Sequence, residues 1–214
     1  MDGVVHGSVQ AIWPGQTFTY EFTVPDSGTY WYHPHVRTNE QVERGLYGAL
    51  IVHEAQPPAY DAERVLVLDD IRLEDDGSRA PFLDIMPDLM HGRHGNLLLV
   101  NGKAGDITEE ISLRPGTVER WRILNSANAR FAVLEFPGLE WRVIALDGGL
   151  IQEPFTPDRL VVSPGERYDV EVRLAEDFGT VQAALDYFVP MLDGEEVVYM
   201  PYTLFQVASD GQSP

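Results

Sequence analysis

The residues of this sequence whose types and spacing could do metal chemistry are His33 and His35, two of its six histidines. Pro34 separates them, fixes its own φ and favours an extended conformation at His33. On an extended segment, side chains at i and i+2 lie on one face, about 6.6 Å apart at Cα. Two imidazoles so placed could chelate one metal ion, or hold one ion each in a cluster whose metals lie about 3.5–4 Å apart. Histidine suits copper, zinc, iron and nickel, and a pair in a polar loop is often no ligand at all, so the spacing alone leaves both questions open.

The flanking sequence predicts that this pair lies at the end of a buried strand. The aromatic run YWY leads into it, and the apolar run GLYGALIV follows. Between them, TNEQVERGLYG predicts one short helical turn closed by Gly45. Gln41 and Tyr32 are expected to support or pack around the pair rather than to bind a metal.

The remaining histidines and the methionines are weaker candidates. The spacing of His6 matches no ligand motif, and His53 follows a strand and is expected at the surface. His91 and His94 form an HxxH in a glycine-rich loop, which is an adventitious metal site at most. Thioethers suit cuprous ions, but scattered methionines more often fill gaps in a core. The methionines concerned are Met86, Met90, Met191 and Met200.

The composition excludes several classes of site and partner. There is no cysteine, which rules out disulfides, thiolate catalysis, iron–sulfur clusters and a blue-copper centre built from this chain alone. The 34 acidic and 15 basic residues give a formal net charge of -19, which argues against nucleic acid and anionic membranes as partners. No apolar run reaches the length of about 20 residues that a membrane-spanning helix needs, and no signal peptide precedes the first motif.

The elements that must position these side chains are mostly strands. Residues 17–24, TFTYEFTV, alternate apolar and polar side chains with the period of two that marks a strand with one buried face. Residues 167–174, RYDVEVRL, repeat this alternation, and Asp169 is predicted to point outward. Residues 117–124, TVERWRIL, predict a third strand. A Pro-Gly turn precedes each of the three.

Many short strands separated by turn signals predict an all-β fold, a β-sandwich or barrel. A polar, proline-bearing stretch near residues 55–60 predicts a domain boundary. Residues 1–55 carry too few strands to stand alone, so they are expected to be the C-terminal half of a domain. Residues 56–206 are long enough for a whole domain, and residues 207–214 are expected to be a tail or linker.

The motif GTYWYHPH followed by QVERGLYGALIV resembles the second histidine motif of the multicopper oxidases, the superfamily of laccases and copper-efflux oxidases. WPGQTFTYEFTVPDSGTYWYH is similar to the same stretch of the family's first cupredoxin domain. NLLLVNGK, RWRILNSANARF, LDGGLIQEP and LVVSPGERYDVEV are similar to phrases of its second. The resemblance covers nearly the whole chain. It implies a cupredoxin-like Greek-key β-sandwich fold with one partial and one complete domain.

The resemblance implies roles for three residues. His33 and His35 match the two histidines that bind the type 3 copper pair, where dioxygen is reduced. Asp2, in MDG, falls where the family has an acidic residue that is thought to help deliver protons to reduced oxygen. The alternative for Asp2 is a plain turn aspartate in an Asp-Gly pair.

The resemblance also implies what the complete enzyme does. A reducing substrate, which is a phenol, an amine or a metal ion, gives electrons one at a time to a type 1 copper, and dioxygen is reduced to water at a trinuclear copper cluster. This chain matches one of the family's four histidine motifs, so missing segments of domain 1 and domain 3 are expected to complete the copper sites. We therefore expect the chain alone not to turn over. The family resemblance implies a periplasmic or extracellular location.

Other classes of function were weighed against this one. The chain could be a non-catalytic cupredoxin-like module, a structural spacer that binds copper weakly or not at all. A copper nitrite reductase relative shares the fold, but NSANARF and DGGLIQEP fit the middle domain of an oxidase better. A zinc hydrolase lacks a third ligand near the histidine pair.

Overall fold

The computed structural model describes residues 11–83, 85–104, 111–174, 183–187, 189–193, 196–200 and 203–209, with backbone alone for the strand residues between 183 and 205. This part of the chain contains fifteen strands and two helices of six residues each. Within it, no helix is long and apolar enough to cross a membrane. The predicted all-β class is confirmed.

The helices are α1 (Thr38–Glu43) and α2 (Met86–His91). The first strands are β1 (Gly28–Tyr32), β2 (Gly48–Val52), β3 (Ala62–Ile71), β4 (Leu97–Val100) and β5 (Ile111–Leu113). The middle strands are β6 (Val118–Asn125), β7 (Ala132–Glu135), β8 (Glu140–Leu146), β9 (Gly149–Phe155) and β10 (Leu160–Val162). The last strands are β11 (Arg167–Arg173), β12 (Ala183–Tyr187), β13 (Val189–Asp193), β14 (Glu196–Met200) and β15 (Thr203–Ser209).

Two sheets form a sandwich around one apolar core. The large sheet has the strand order β4-β3-β6-β11-β8-β9, and the small sheet has the order β10-β7-β12-β15-β5. Trp121 and Ile123 of the large sheet and Leu134 and Val162 of the small sheet are all fully buried in this core. The pairs β3–β6 and β5–β15 are parallel, while the other neighbours are antiparallel, so the sandwich is mixed. This arrangement agrees with the cupredoxin-like sandwich that the sequence implied.

The alternation of side chains located β6 and β11 correctly. The two strands pair antiparallel, with Val170 opposite Trp121. Gly116 and Gly165, the second residues of the Pro-Gly turns before these strands, have φ values of 78° and 83°. Those left-handed values suit glycine, so the turn chemistry sets where each strand starts.

The strand predicted over residues 17–24 is wrong in this structure. The segment pairs with no other strand among the described residues, and its apolar side chains are exposed, as for Phe18 and Phe22. A period of two shows that a segment has two unlike faces, but a strand also needs a neighbour for its backbone hydrogen bonds. Within residues 11–83 and the rest of the described chain, that neighbour is missing.

Two other predictions need correction. Asp169 does face away from the sandwich core, but it is only 1% exposed because β1 covers this side of the large sheet. The tail predicted from residue 207 starts too early, because Val207, Ala208 and Ser209 pair in parallel with β5. Residues 210–214 lie outside the described residues.

Candidate metal centre

Strands β1 and β2 form a two-stranded ribbon that carries the histidine pair at one end. They pair antiparallel, with Tyr32 opposite Gly48. Residues 33–47, here called the histidine loop, join them and contain His33, His35 and α1. A side chain at Gly48 would collide with the Tyr32 ring, so the ribbon closes tightly at the start of the loop.

The structure brings His33 and His35 together. Their rings are stacked, with centroids 4.7 Å apart and an angle of 27° between the ring planes. The ring of Trp31 packs against that of His33, with the two ring centroids 4.2 Å apart. The ring of His33 is half-buried and that of His35 is exposed. The pair therefore faces outward from the end of the ribbon, with one ring held between its neighbours.

A backbone contact orients the first of the two rings. Nδ1 of His33 lies 3.2 Å from the carbonyl oxygen of Pro34. When Nδ1 carries the proton it donates to that carbonyl, and Nε2 then keeps its lone pair for a metal ion.

Helix α1 follows three residues after His35, and Gly45 closes it as predicted. Arg37 is the N-cap residue just before the helix and has a left-handed conformation with φ 47°. Gly45 has φ 83°, and its N–H donates to the carbonyl of Val42. The side-chain amide of Gln41 donates to the carbonyl oxygen of Val36, which ties the helix back to the residue after His35.

One face of α1 packs against the sandwich through a buried carboxylate. Glu43 is 5% exposed, and its Oε1 lies 3.1 Å from Nε of Arg93. The Asn128 side-chain amide donates to Glu43 Oε2 at 3.2 Å and to the carbonyl of Asn39 at 2.9 Å. The backbone N–H of Arg72 donates to Glu43 Oε1 at 3.3 Å. Both ends of the helix are therefore fastened to the sandwich.

The end of the histidine loop has a second buried contact. The hydroxyl of Tyr47 donates to Oδ2 of Asp69, at a distance of 2.5 Å. Burial raises the pKa of Asp69 to about 7, even though bonds from Tyr47 and the Asp70 N–H favour its charged form. Burial, together with the charge of Asp69, raises the pKa of Tyr47. The bond from Tyr47 is stronger when Asp69 is charged, but the cost of burying that charge outweighs the bond and favours the neutral carboxyl.

The ribbon itself lies on the large sheet through a cluster of buried charges. Oγ1 of Thr29 donates to Asp169 Oδ1 at 2.6 Å, and Arg120 and Arg122 donate to Asp169 Oδ2 at 2.6 and 3.0 Å. Arg120 also donates both of its Nη groups to the carboxylate of Glu54, at 2.9 and 3.1 Å. Burial opposes the charge of Glu54, but the bonds from Arg120 outweigh it and lower its pKa below the usual range.

The other candidate residues do not join the pair. Asp2 and His6 lie outside the described residues. His53 is exposed, as predicted, and His94 Nε2 lies 3.2 Å from the carbonyl of His91, which ends α2. In the described part of the chain, no group of three or more histidine, cysteine, aspartate or glutamate side chains could hold a metal ion.

The expectation that the methionines fill the core is wrong for the two whose side chains are described. Met86 and Met90 are 68% and 70% exposed on α2. The helix was not foreseen, and only its last two residues, Met90 and His91, fall in the stretch MHGRHGN that was expected to be a glycine-rich loop. The side chains of Met191 and Met200 lie outside the described residues.

The buried contacts that hold the histidine loop were not predicted from the sequence. Glu43 and Asn128 lie within the stretches QVERGLYGALIV and RWRILNSANARF, but nothing in the sequence pairs them with each other or with Arg93, and charged residues are normally expected in solvent. The one available signal was that Glu43 adjoins Val42, the apolar residue on the inner face of α1, and a buried carboxylate there requires a cationic partner.

Comparison with known proteins assigns the chain to a family. Two models of the family described as Multicopper oxidase match residues 1–57 and 76–182. Copper resistance protein A of Pseudomonas syringae pv. tomato is 30% identical over 86% of this chain and 37% of its own length. Multicopper oxidase MmcO of Mycobacterium tuberculosis is 32% identical over 82% of this chain and 39% of its own length.

The chain belongs to the multicopper oxidase family. A crystal structure of the multicopper oxidase from Pseudomonas thermotolerans superimposes with a TM-score of 0.82 and 29% identity, over 100% of this chain and 49% of that one. The chain thus spans less than two-fifths of the length of these two curated relatives and about half of the length of the solved structure. Copper is the metal that this family implies.

Proposed function

We propose that this chain is part of a multicopper oxidase, in which His33 and His35 each supply one imidazole ligand to the type 3 copper pair. The observation that carries the proposal is the stacked pair of imidazoles at the end of the β1–β2 ribbon, 4.7 Å apart at their centroids. Nearly parallel rings at that distance suit two neighbouring ions, which lie about 3.5–4 Å apart in two-metal sites, better than one shared ion.

The donor set fits copper as well. Imidazole nitrogen is a suitable copper ligand, and the contact between Nδ1 of His33 and the Pro34 carbonyl leaves Nε2 available. Two imidazoles do not complete a copper site. Since the described residues offer no third acidic or histidine ligand beside them, the remaining ligands would come from other segments of the whole protein.

The residues of this chain would act by placing and orienting these ligands. Bound copper would supply the one-electron redox chemistry for the four-electron reduction of dioxygen to water. Trp31 stacks on His33, and the carbonyl of Pro34 fixes its ring nitrogen, so little ordering remains to be done on metal binding. We assign Asp2 the role of moving protons toward the reduced oxygen, as a carboxylate near the site can.

The same proposal extends to the whole protein. Residues 1–55 would form the C-terminal half of the first cupredoxin domain and residues 56–206 the second, while the missing parts of domain 1 and domain 3 complete the copper sites. The partners would be dioxygen and a small reducing substrate, a phenol, an amine or a metal ion. The location would be periplasmic or extracellular, as the resemblance implies.

Copper titration of the 214-residue chain tests the proposed ligands. We expect the His33→Ala/His35→Ala variant to lose the tightest Cu²⁺ site, since each imidazole is a ligand, while the matched His91→Ala/His94→Ala variant keeps it. Equal affinity in all three proteins would contradict the proposal and favour a non-catalytic module. Oxygen consumption with a phenolic substrate is expected to be absent for the chain alone.

A further inference from the structure

Helix α1 is too short to set its own direction. It has six residues, whereas isolated helices below about 12–15 residues are marginal in water. Its orientation therefore depends on what it packs against. Because α1 begins at Thr38, three residues after His35, whatever fixes the helix also limits where the histidine loop can go.

Glu43 is the residue through which the sandwich holds this helix. Its carboxylate forms an ion pair with Arg93 at 3.1 Å and accepts hydrogen bonds from the Asn128 amide and the Arg72 backbone N–H, and Glu43 is 5% exposed. Arg93 cannot easily follow a displaced partner, since its other nitrogens donate to the carbonyls of Ala80 and Pro81 at 3.1 Å. The guanidinium of Arg93, which pairs with Glu43, is therefore held in place by its own backbone contacts.

A continuous set of contacts leads from that anchor to the histidine pair. Glu43 ends α1, the amide of Gln41 reaches from the helix to the carbonyl of Val36, and Val36 is bonded to His35. Asn128 adds a second tie from the sandwich, to the carbonyl of Asn39 in the first turn. The imidazole of His35 is exposed, and the ring contact described for it is the stacking on His33.

We propose that Glu43 is a positioning residue, which acts through α1 and the Val36 carbonyl to set the placement of His35 beside His33. The pairing of Glu43 with Arg93 would thereby let residues of the sandwich tune a copper site that lies on the ribbon. This inference rests on the proposed function, because it assumes that the two histidines bind copper.

The test is a double-mutant cycle on Cu²⁺ affinity in the 214-residue chain, with Glu43→Gln, Arg93→Gln and the double variant. Removing a residue that orients a metal ligand typically lowers affinity about 10–100-fold, so we expect a smaller loss of about 3–10-fold from this more distant residue. The double variant should lose no more than Glu43→Gln alone, because the two residues act as one contact.

Glu54→Gln is the matched control. It also replaces a carboxylate, here a half-buried one, that ties the ribbon to the large sheet through Arg120, but Glu54 lies beyond the end of β2 that is far from the histidines. We expect it to lower the urea midpoint while leaving Cu²⁺ affinity within about twofold of the original chain. The EPR spectrum of bound Cu²⁺ should likewise change in Glu43→Gln and stay the same in Glu54→Gln.

The His33→Ala/His35→Ala variant separates the two ways to fail. If it keeps the copper affinity, the proposed function fails. If it loses the copper site while Glu43→Gln keeps the Cu²⁺ affinity of Glu54→Gln, the proposed ligands are supported and the positioning role of Glu43 is overturned. Should Glu43→Gln not fold, Arg93→Gln gives the decision, since it breaks the same Glu43–Arg93 pair from the other side, and a Cu²⁺ affinity within about twofold of the original chain would overturn the positioning role.

Discussion

Thr29 Oγ1 donates a 2.6 Å hydrogen bond to Asp169 Oδ1, and this bond joins residues that lie 140 positions apart. Both side chains are buried, and both guanidinium groups of the neighbouring Arg120 and Arg122 point at the same carboxylate. The ribbon that carries the histidine pair is therefore fastened to the large sheet by polar bonds, on the sheet face that does not line the apolar core.

Replacing Thr29 with valine should destabilise the chain. The shape is nearly kept, but Asp169 loses a donor while remaining buried, which costs about 1–3 kcal/mol. Urea unfolding should show this loss in the free energy of unfolding. The control is Arg142→Gln, which breaks the exposed pair with Glu171 and should cost about 1 kcal/mol or less. Equal effects of the two variants would mean that the Thr29 bond contributes no more than a surface contact.

Asp69 should make the stability depend on pH. Its pKa is raised to about 7 in the folded chain, from an ordinary value of 3.8, so between these values the folded state holds a proton that the unfolded state has lost. Stability from this group is full below the unfolded pKa and is lost as the pH rises toward 7, by an amount on the order of 2–4 kcal/mol. Tyr47, Asp70 and Glu43 are the titratable groups that face it.

The Asp69→Asn variant isolates this dependence. It removes the titration and keeps an oxygen to accept from the Asp70 N–H. Unfolding midpoints measured from pH 5 to pH 8 should fall less steeply for the variant, which should be the more stable protein at pH 8. Parallel pH curves for the two proteins would show that Asp69 does not titrate in this range.

The exposed apolar face of residues 17–24 should promote self-association. Phe18, Tyr20 and Phe22 are each 42–47% exposed, and the segment alternates as a strand does without having a partner. Changing Phe18 and Phe22 together to threonine should lower light scattering at high protein concentration and leave the urea midpoint unchanged. Threonine at the isolated exposed positions Leu146 and Val161 is the control, and a comparable improvement there would argue against this face.

Limited proteolysis should cleave the segment around residues 13–22 at an earlier time than it cleaves the sandwich. Chymotrypsin recognises large apolar residues, and Trp13, Phe18 and Phe22 are exposed in a segment without strand pairing, whereas Trp121 is buried in β6. The earliest fragments, identified by mass, should therefore end between residues 13 and 22. Early cleavage within residues 118–173 would contradict the view that the sandwich is the more stable unit.

The sequence was sufficient where the determining chemistry is local. The Pro-Gly turns and the alternation in β6 and β11 each depend on a few adjacent residues, and each identified a real element. Gly45 closed α1 for the same reason.

The sequence was insufficient where the answer depends on a distant partner. Alternation predicted that Asp169 points outward, but alternation cannot show that Thr29 covers that side chain. Alternation also predicted a strand over residues 17–24, but it cannot show whether a neighbouring strand is present to pair with them. The motif that contains Glu43 does not reveal its partner, because Arg93 lies 50 residues further along the chain and only the fold brings the two together.

The central claim is that His33 and His35 are the copper ligands of this chain, and imidazole NMR tests it most directly. In the ¹⁵N-labelled chain, the ring signals of all six histidines can be followed in one experiment while Cu²⁺ is added below one equivalent. The account predicts that paramagnetic broadening removes the ring signals of His33 and His35 first and together. Broadening that begins at His91 and His94, or at His6 or His53, while the stacked pair remains sharp would contradict it.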